Sequence, residues 1–151
     1  MILDEGLEFA DAASVGVPNN TTVNVGSDVD LGVARDIGAG RPLYLVVQVT
    51  TAITSGGAAK CRFKLVSDAA ATPAVDGTAT EHVTTDDIAV ATLVAGWTVV
   101  IPIPAGASVA YERFLGFQVQ ETASQALTAG NVNAFLTHDA RVYKAYADAV
   151  N

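Results

Sequence analysis

The sequence predicts an all-β fold, a sandwich or jelly roll of about eight short strands. Three observations carry that prediction. Val and Thr, which suit pleated sheets, are plentiful, while the long helix formers Lys and Glu are scarce. Several runs alternate apolar and polar residues with the period of a strand. Gly, Pro, Asn and Ser clusters punctuate those runs at the spacing of a sandwich.

The strands follow in order. Thr21 to Leu31 alternates Val23, Val25, Val29 and Leu31, with Gly26-Ser27 as a bulge or bend. Gly32 to Pro42 is a glycine-rich loop holding Arg35, Asp36 and Arg41. Leu43 to Val49 is almost continuously apolar, the pattern of a strand buried on both faces. After the turn Thr54-Ser55-Gly56-Gly57, Ala59 to Val66 alternates Cys61, Phe63 and Leu65 with Lys60, Arg62 and Lys64. Residues 68–78 read as an exposed loop, and Thr78 to Thr85 as a short strand. Ile88 to Val94 fits a strand or a turn of helix. Trp97 to Ile103 is a strand stopped at Pro104. Arg113 to Gln120 and Asn131 to Thr137 complete the set, the latter preceded by a Thr128-Ala129-Gly130 turn.

The ends read differently. Residues 1–20 are acidic, apolar and irregular, either a packed terminus or an arm for a neighbour. Residues 138–151 form a tail carrying Val142, Tyr143 and Tyr146 that packs over the sandwich edge or reaches a partner. A chain of 151 residues, half of them hydrophobic and 16% charged, is expected to form one packed domain, residues 1–151. Strand order is not legible in the pattern.

Composition also narrows function. The net charge is −8, and Lys60, Arg62 and Lys64 alternate as the solvated face of one strand, so no nucleic-acid partner is expected. The uncharged run Ile88 to Tyr111 is long enough to span a membrane, but Gly96, Pro102, Pro104 and Gly106 interrupt it, so no membrane span is expected. The start lacks the basic and apolar regions of a secretory signal. Cys61 is the single cysteine, so it forms no internal disulfide and reads as a small buried hydrophobe.

Catalytic patterns are missing. Gly-x-Ser-x-Gly does not occur, Gly38 and Gly40 lack the Lys-Ser/Thr of a phosphate loop, and Asp86 and Asp87 point to opposite faces if extended. Glu81, His82, Asp86 and Asp87 are the nearest approach to a metal cluster and fit a solvated loop better. No catalytic, metal or cofactor site is expected. Trp97 opens an apolar strand, which favours burial over display to a sugar.

Several segments resemble the capsid cement protein family typified by the cement protein of Bordetella phage. They are Met1-Ile2-Leu3-Asp4 with Phe9-Ala10-Asp11, Val29-Asp30-Leu31-Gly32, and above all Arg35-Asp36-Ile37-Gly38-Ala39-Gly40-Arg41-Pro42-Leu43-Tyr44-Leu45. Leu93-Val94-Ala95-Gly96, Thr128-Ala129-Gly130 and Tyr143-Lys144-Ala145-Tyr146-Ala147 follow in the same order. The resemblance implies a jelly-roll structural virion protein that decorates the outer face of an HK97-type phage shell. It would be a homo-oligomer, dimer or trimer, across junctions of the major capsid protein, assembled in the bacterial host cytoplasm and stabilising the expanded, DNA-filled head. Expected contacts are Ile2, Leu3 and Phe9 as apolar anchors, with Arg35, Asp36 and Arg41 as polar ones. The opposing reading of the loop is internal, with Arg35 and Arg41 bonding loop carbonyls or pairing with Asp30 and Asp36. The alternative function is a carbohydrate- or receptor-binding β-sandwich module of a virion.

Overall fold

The computed structural model describes residues 5–37, 40–104 and 109–139. The strands are β1 (Glu8–Ser14), β2 (Thr22–Asn24), β3 (Val29–Asp30), β4 (Tyr44–Ser55), β5 (Lys60–Asp68), β6 (Thr80–Thr84), β7 (Ile88–Ala89), β8 (Thr98–Pro102), β9 (Phe114–Glu121) and β10 (Leu127–Thr137). They form two antiparallel sheets. One runs β1-β10-β4-β8, and the other β2-β9-β5-β6, with β3 also on β9 and β7 also on β5.

The winding follows from the pairings. β2 and β3 share β9 as partner, and β6 and β7 share β5, so each pair is one interrupted strand. Ten strands less two interruptions leave eight runs. The first run pairs with the last, the second with the seventh, the third with the sixth and the fourth with the fifth. That is one long hairpin rolled up, the jelly-roll arrangement.

The period-2 alternation builds the core. Leu45, Val47 and Val49 of β4, with Val132, Ala134 and Leu136 of β10, face Cys61, Phe63 and Leu65 of β5 and Leu115, Phe117 and Val119 of β9. The Phe63 ring lies 5.9 Å from Phe117 and 5.8 Å from Trp97, which is half-buried as the apolar strand opening suggests. Burial pushes the Cys61 thiol up to about 12, with the Glu121 carboxylate adding to the shift, so this cysteine is inert. β4 lies between β10 and β8, and Leu45 through Val49, Gln48 included, are all buried, as their almost continuous apolar run predicts.

Three differences from the sequence reading have physical causes. The stretch 1–20, expected to be irregular, contains β1. Two register shifts and a left-handed Ala12 (φ 45°) break its alternation and hide the strand. Phe9 accordingly lies in the core at 2% exposure, not on the surface as an anchor. The run from Thr21 to Leu31 is split at Gly26. There φ is +78°, and an added Cβ would lie 1.8 Å from the Phe9 carbonyl oxygen, so only glycine fits. The uncharged stretch from Ile88 becomes β7, a 3-10 turn (Val90–Thr92) and β8, and among the described residues no helix is long and apolar enough to cross a membrane.

Candidate contact surface

Rolling up a hairpin sends alternate connections to opposite ends of the sandwich. Residues 31–37, 40–43, 69–79, 103–104 and 109–113 collect at one end with the start of β1 and the exit from β10. Short contacts tie this end together. His138 Nδ1 lies 3.0 Å from the Pro42 carbonyl, Ile103 N–H donates to Leu43 (2.8 Å), and Leu31 N–H donates to Arg113 (2.9 Å). Loops 15–21, 56–59, 85–97 and 122–126 collect at the other end.

The end where β1 starts and β10 finishes carries the candidate residues. Arg35, Asp36 and Arg41 are all exposed there. Asp30 is not the partner of either loop arginine. It is clamped by Arg113, whose Nε and Nη2 each donate over 2.8 Å, and it also accepts the Gly32 N–H at 2.7 Å. The Arg113 guanidinium and the Gly32 N–H hold the Asp30 carboxyl down to about 2. Arg113 also caps the Phe114 ring at 4.8 Å. Among the described residues, the Arg35 and Arg41 side chains make no ion pair or hydrogen bond. Asp36 lies near Tyr111, whose hydroxyl is pushed up to about 12, first by burial and then by that carboxylate.

Two residues missed in the sequence stand at the same end. Val33 is 59% exposed and Val109 is 47% exposed. The available signal was an aliphatic side chain inside a loop, where no alternation gives it a buried face. Ile2, Leu3, Gly38, Ala39 and the tail from Ala140 onward lie outside the described residues.

Several chemistry-bearing side chains elsewhere are engaged with one another. Arg62 pairs with Asp87 at 2.6 Å, and Lys64 with Glu81 at 2.8 Å. His82 Nε2 meets Ser67 Oγ at 2.7 Å, and its ring stacks on Tyr111 with centroids 3.9 Å apart. That serine–histidine contact is structural, because Ser67 is fully buried and offers a substrate no approach. Among the described residues, no group of three or more His, Cys, Asp or Glu is arranged to hold a metal.

The family model Bbp16 matches residues 9–136, from the second residue of β1 to the penultimate residue of β10. The chain belongs to the Bbp16 family. This is the family of the Bordetella phage cement protein, so the chain is a member of a viral, structural, bacteriophage family. No curated protein matches the chain. The matched span includes loop 31–43, with Arg35, Asp36 and Arg41, and excludes Ile2, Leu3 and the tail beyond 136.

Proposed function

We propose that this Bbp16 member is a non-enzymatic cement protein. It binds the outer surface of an HK97-type phage shell across junctions of the major capsid protein, acts as a homo-oligomer (dimer or trimer), and stabilises the expanded, DNA-filled head. The observation that carries the reading is the end of the sandwich at loops 31–43 and 103–113. Two arginines, Arg35 and Arg41, stand exposed there without a partner among the described residues, beside exposed Val33 and Val109. Apolar burial at a junction contributes about 25 cal/mol per Å², and arginine adds directional bonds to carboxylates or carbonyls on the shell. Ile2 and Leu3 serve as apolar anchors to the shell, and Asp36 contributes a polar contact.

Binding stabilises the expanded head only if that state is bound better than the precursor shell. Many copies on one lattice multiply a modest affinity. Co-sedimentation with precursor and expanded shells tests this. Saturable binding that favours the expanded form is expected.

A further inference from the structure

The outer face of the second sheet carries a groove of about 510 Å³. It runs from loop 69–79, at the end where the candidate contacts gather, towards Asn20 and Thr21 at the opposite end. Thr22 of β2, Gln118 and Gln120 of β9, Lys64 and Val66 of β5 and Glu81 of β6 line it. The size is that of a ligand site.

The groove is preformed. Gln118 Nε2 donates to Asn24 Oδ1 (3.0 Å) and to the Ala74 carbonyl (2.9 Å), and Asn24 Nδ2 donates to the Pro73 carbonyl (2.8 Å). Pro73 presses on Gly116 so closely that a Cβ there would stand 2.9 Å from its Cγ. Asp68 accepts the Ala70 and Ala74 N–H groups, which fixes the same loop. The wall therefore keeps its place without a ligand.

Its charged side chains are already engaged locally. Lys64 is bound to Glu81 at 2.8 Å, and Asp76 caps its own turn through the Thr78 N–H and hydroxyl. What remains is amide and hydroxyl. Gln118 is 3% exposed with both bonds of its Nε2 fixed, and its Oε1 accepts nothing among the described residues. Gln120 and Thr22 make no side-chain hydrogen bond among the described residues. A side-chain amide offers the same donor and acceptor as a peptide group. Gln118 and Gln120 are two residues apart on β9, about 6.8 Å, which is also the two-residue repeat of an extended chain. Among the described residues, no aromatic side chain lines the groove for stacking a sugar. Val75, 44% exposed, gives the wall one apolar contact.

We infer that this groove seats an extended, uncharged segment of the shell protein, its backbone N–H groups meeting Gln118 Oε1 and its peptide groups the Gln120 amide. The inference rests on the proposed shell binding and adds a second contact to it. The same groove open to a glycan is the competing occupant.

The test uses the whole chain and expanded shells. Gln120→Trp and Thr22→Trp each fill the groove from an outward-facing position. Both are expected to melt like the wild type and to bind shells roughly tenfold more weakly. A photoreactive side chain at position 120 is expected to label the capsid protein. If wild type and both variants bind alike, the groove is empty in the complex and the inference falls while the shell-binding reading stands. Labelling only of a second copy of this chain also overturns it. So does saturable binding of an oligosaccharide panel that Gln120→Trp abolishes. If the wild type binds no shell, the proposed function fails and this inference with it.

Discussion

Loops 15–21 and 122–126 close one end of the sandwich around Glu121, whereas loops 31–43 and 103–113 at the other end leave Arg35 and Arg41 facing outward. Glu121 is 1% exposed and accepts the backbone N–H groups of Asn20 (2.7 Å) and Ala123 (2.6 Å). Burial alone would push its carboxyl up. The N–H groups of Asn20, Ala123, Gln125 and Ser124 outweigh that and hold it below the usual glutamate range. Beside it, Asp87 accepts from both Arg62 and Thr122. The closed end thus satisfies the carboxylates of Glu121 and Asp87 internally. The other end carries exposed Val33 and Val109 together with Arg35 and Arg41, which have no such partners among the described residues. The difference teaches where a partner fits, since a surface already satisfied internally gains little from a neighbour and an unsatisfied one gains more.

That contrast is broken or sharpened by substitutions at each end. The largest effect on stability is expected from Glu121→Ala, which strands several backbone N–H groups at once. It should lower unfolding stability by about 2 kcal/mol in urea titrations and leave shell binding at the wild-type level. A loss of shell binding in a folded Glu121→Ala protein would erase the distinction between the ends. Arg41→Ala and Arg35→Ala should do the reverse, weakening shell binding roughly tenfold each with an unchanged melting temperature. A fall in melting temperature would restore the internal reading of the loop.

Acid provides a milder probe. Burial lowers the His82 pKa below its ordinary 6.5, against the opposing pull of Glu112. The unfolded chain therefore takes up this proton first, so stability present at neutral pH declines as pH falls below about 6.5. His82 bonds Ser67 and stacks on Tyr111, and Tyr111 donates to the Pro104 carbonyl at 2.7 Å. Hydrogen exchange at pH 5.5 should therefore quicken around 109–113 before it quickens around 121–125. Glu121 responds only later, because its depressed carboxyl loses stability below the ordinary 4.5. His82→Phe should flatten the first phase and leave the second. The smallest effect is expected from Arg62→Ala, whose exposed pair with Asp87 should move the melting temperature by less than Glu121→Ala does.

Much of the fold was legible because alternation was intact. Ala59 to Val66 and Arg113 to Gln120 nearly coincide with β5 and β9, since each carries a clean inward set such as Cys61, Phe63 and Leu65, while Leu43 to Val49 was legible in β4 as an almost continuous apolar run. β1 was not legible, because its bulges at Ala10 and Ala12 move Phe9 and Ala10 both into the core. The strand order also lay beyond the pattern, since pairs such as Glu8 with Phe135 join residues that no local period connects. For the contact surface, the sequence brought out Arg35, Asp36 and Arg41. It did not show that Asp30 belongs to Arg113, a partner 83 residues away. Nor did it show that Thr22, Lys64 and Gln118 meet across three strands to line one groove.

The central claim is that the end carrying loop 31–43 is the face turned to the shell. Co-sedimentation of wild type, Arg41→Ala and Glu121→Ala with expanded and precursor shells tests it most directly. The account predicts saturable wild-type binding that favours the expanded shell, retained in Glu121→Ala and weakened in Arg41→Ala. Wild-type binding that Arg41→Ala leaves intact and Glu121→Ala removes, with both variants folded, would contradict it.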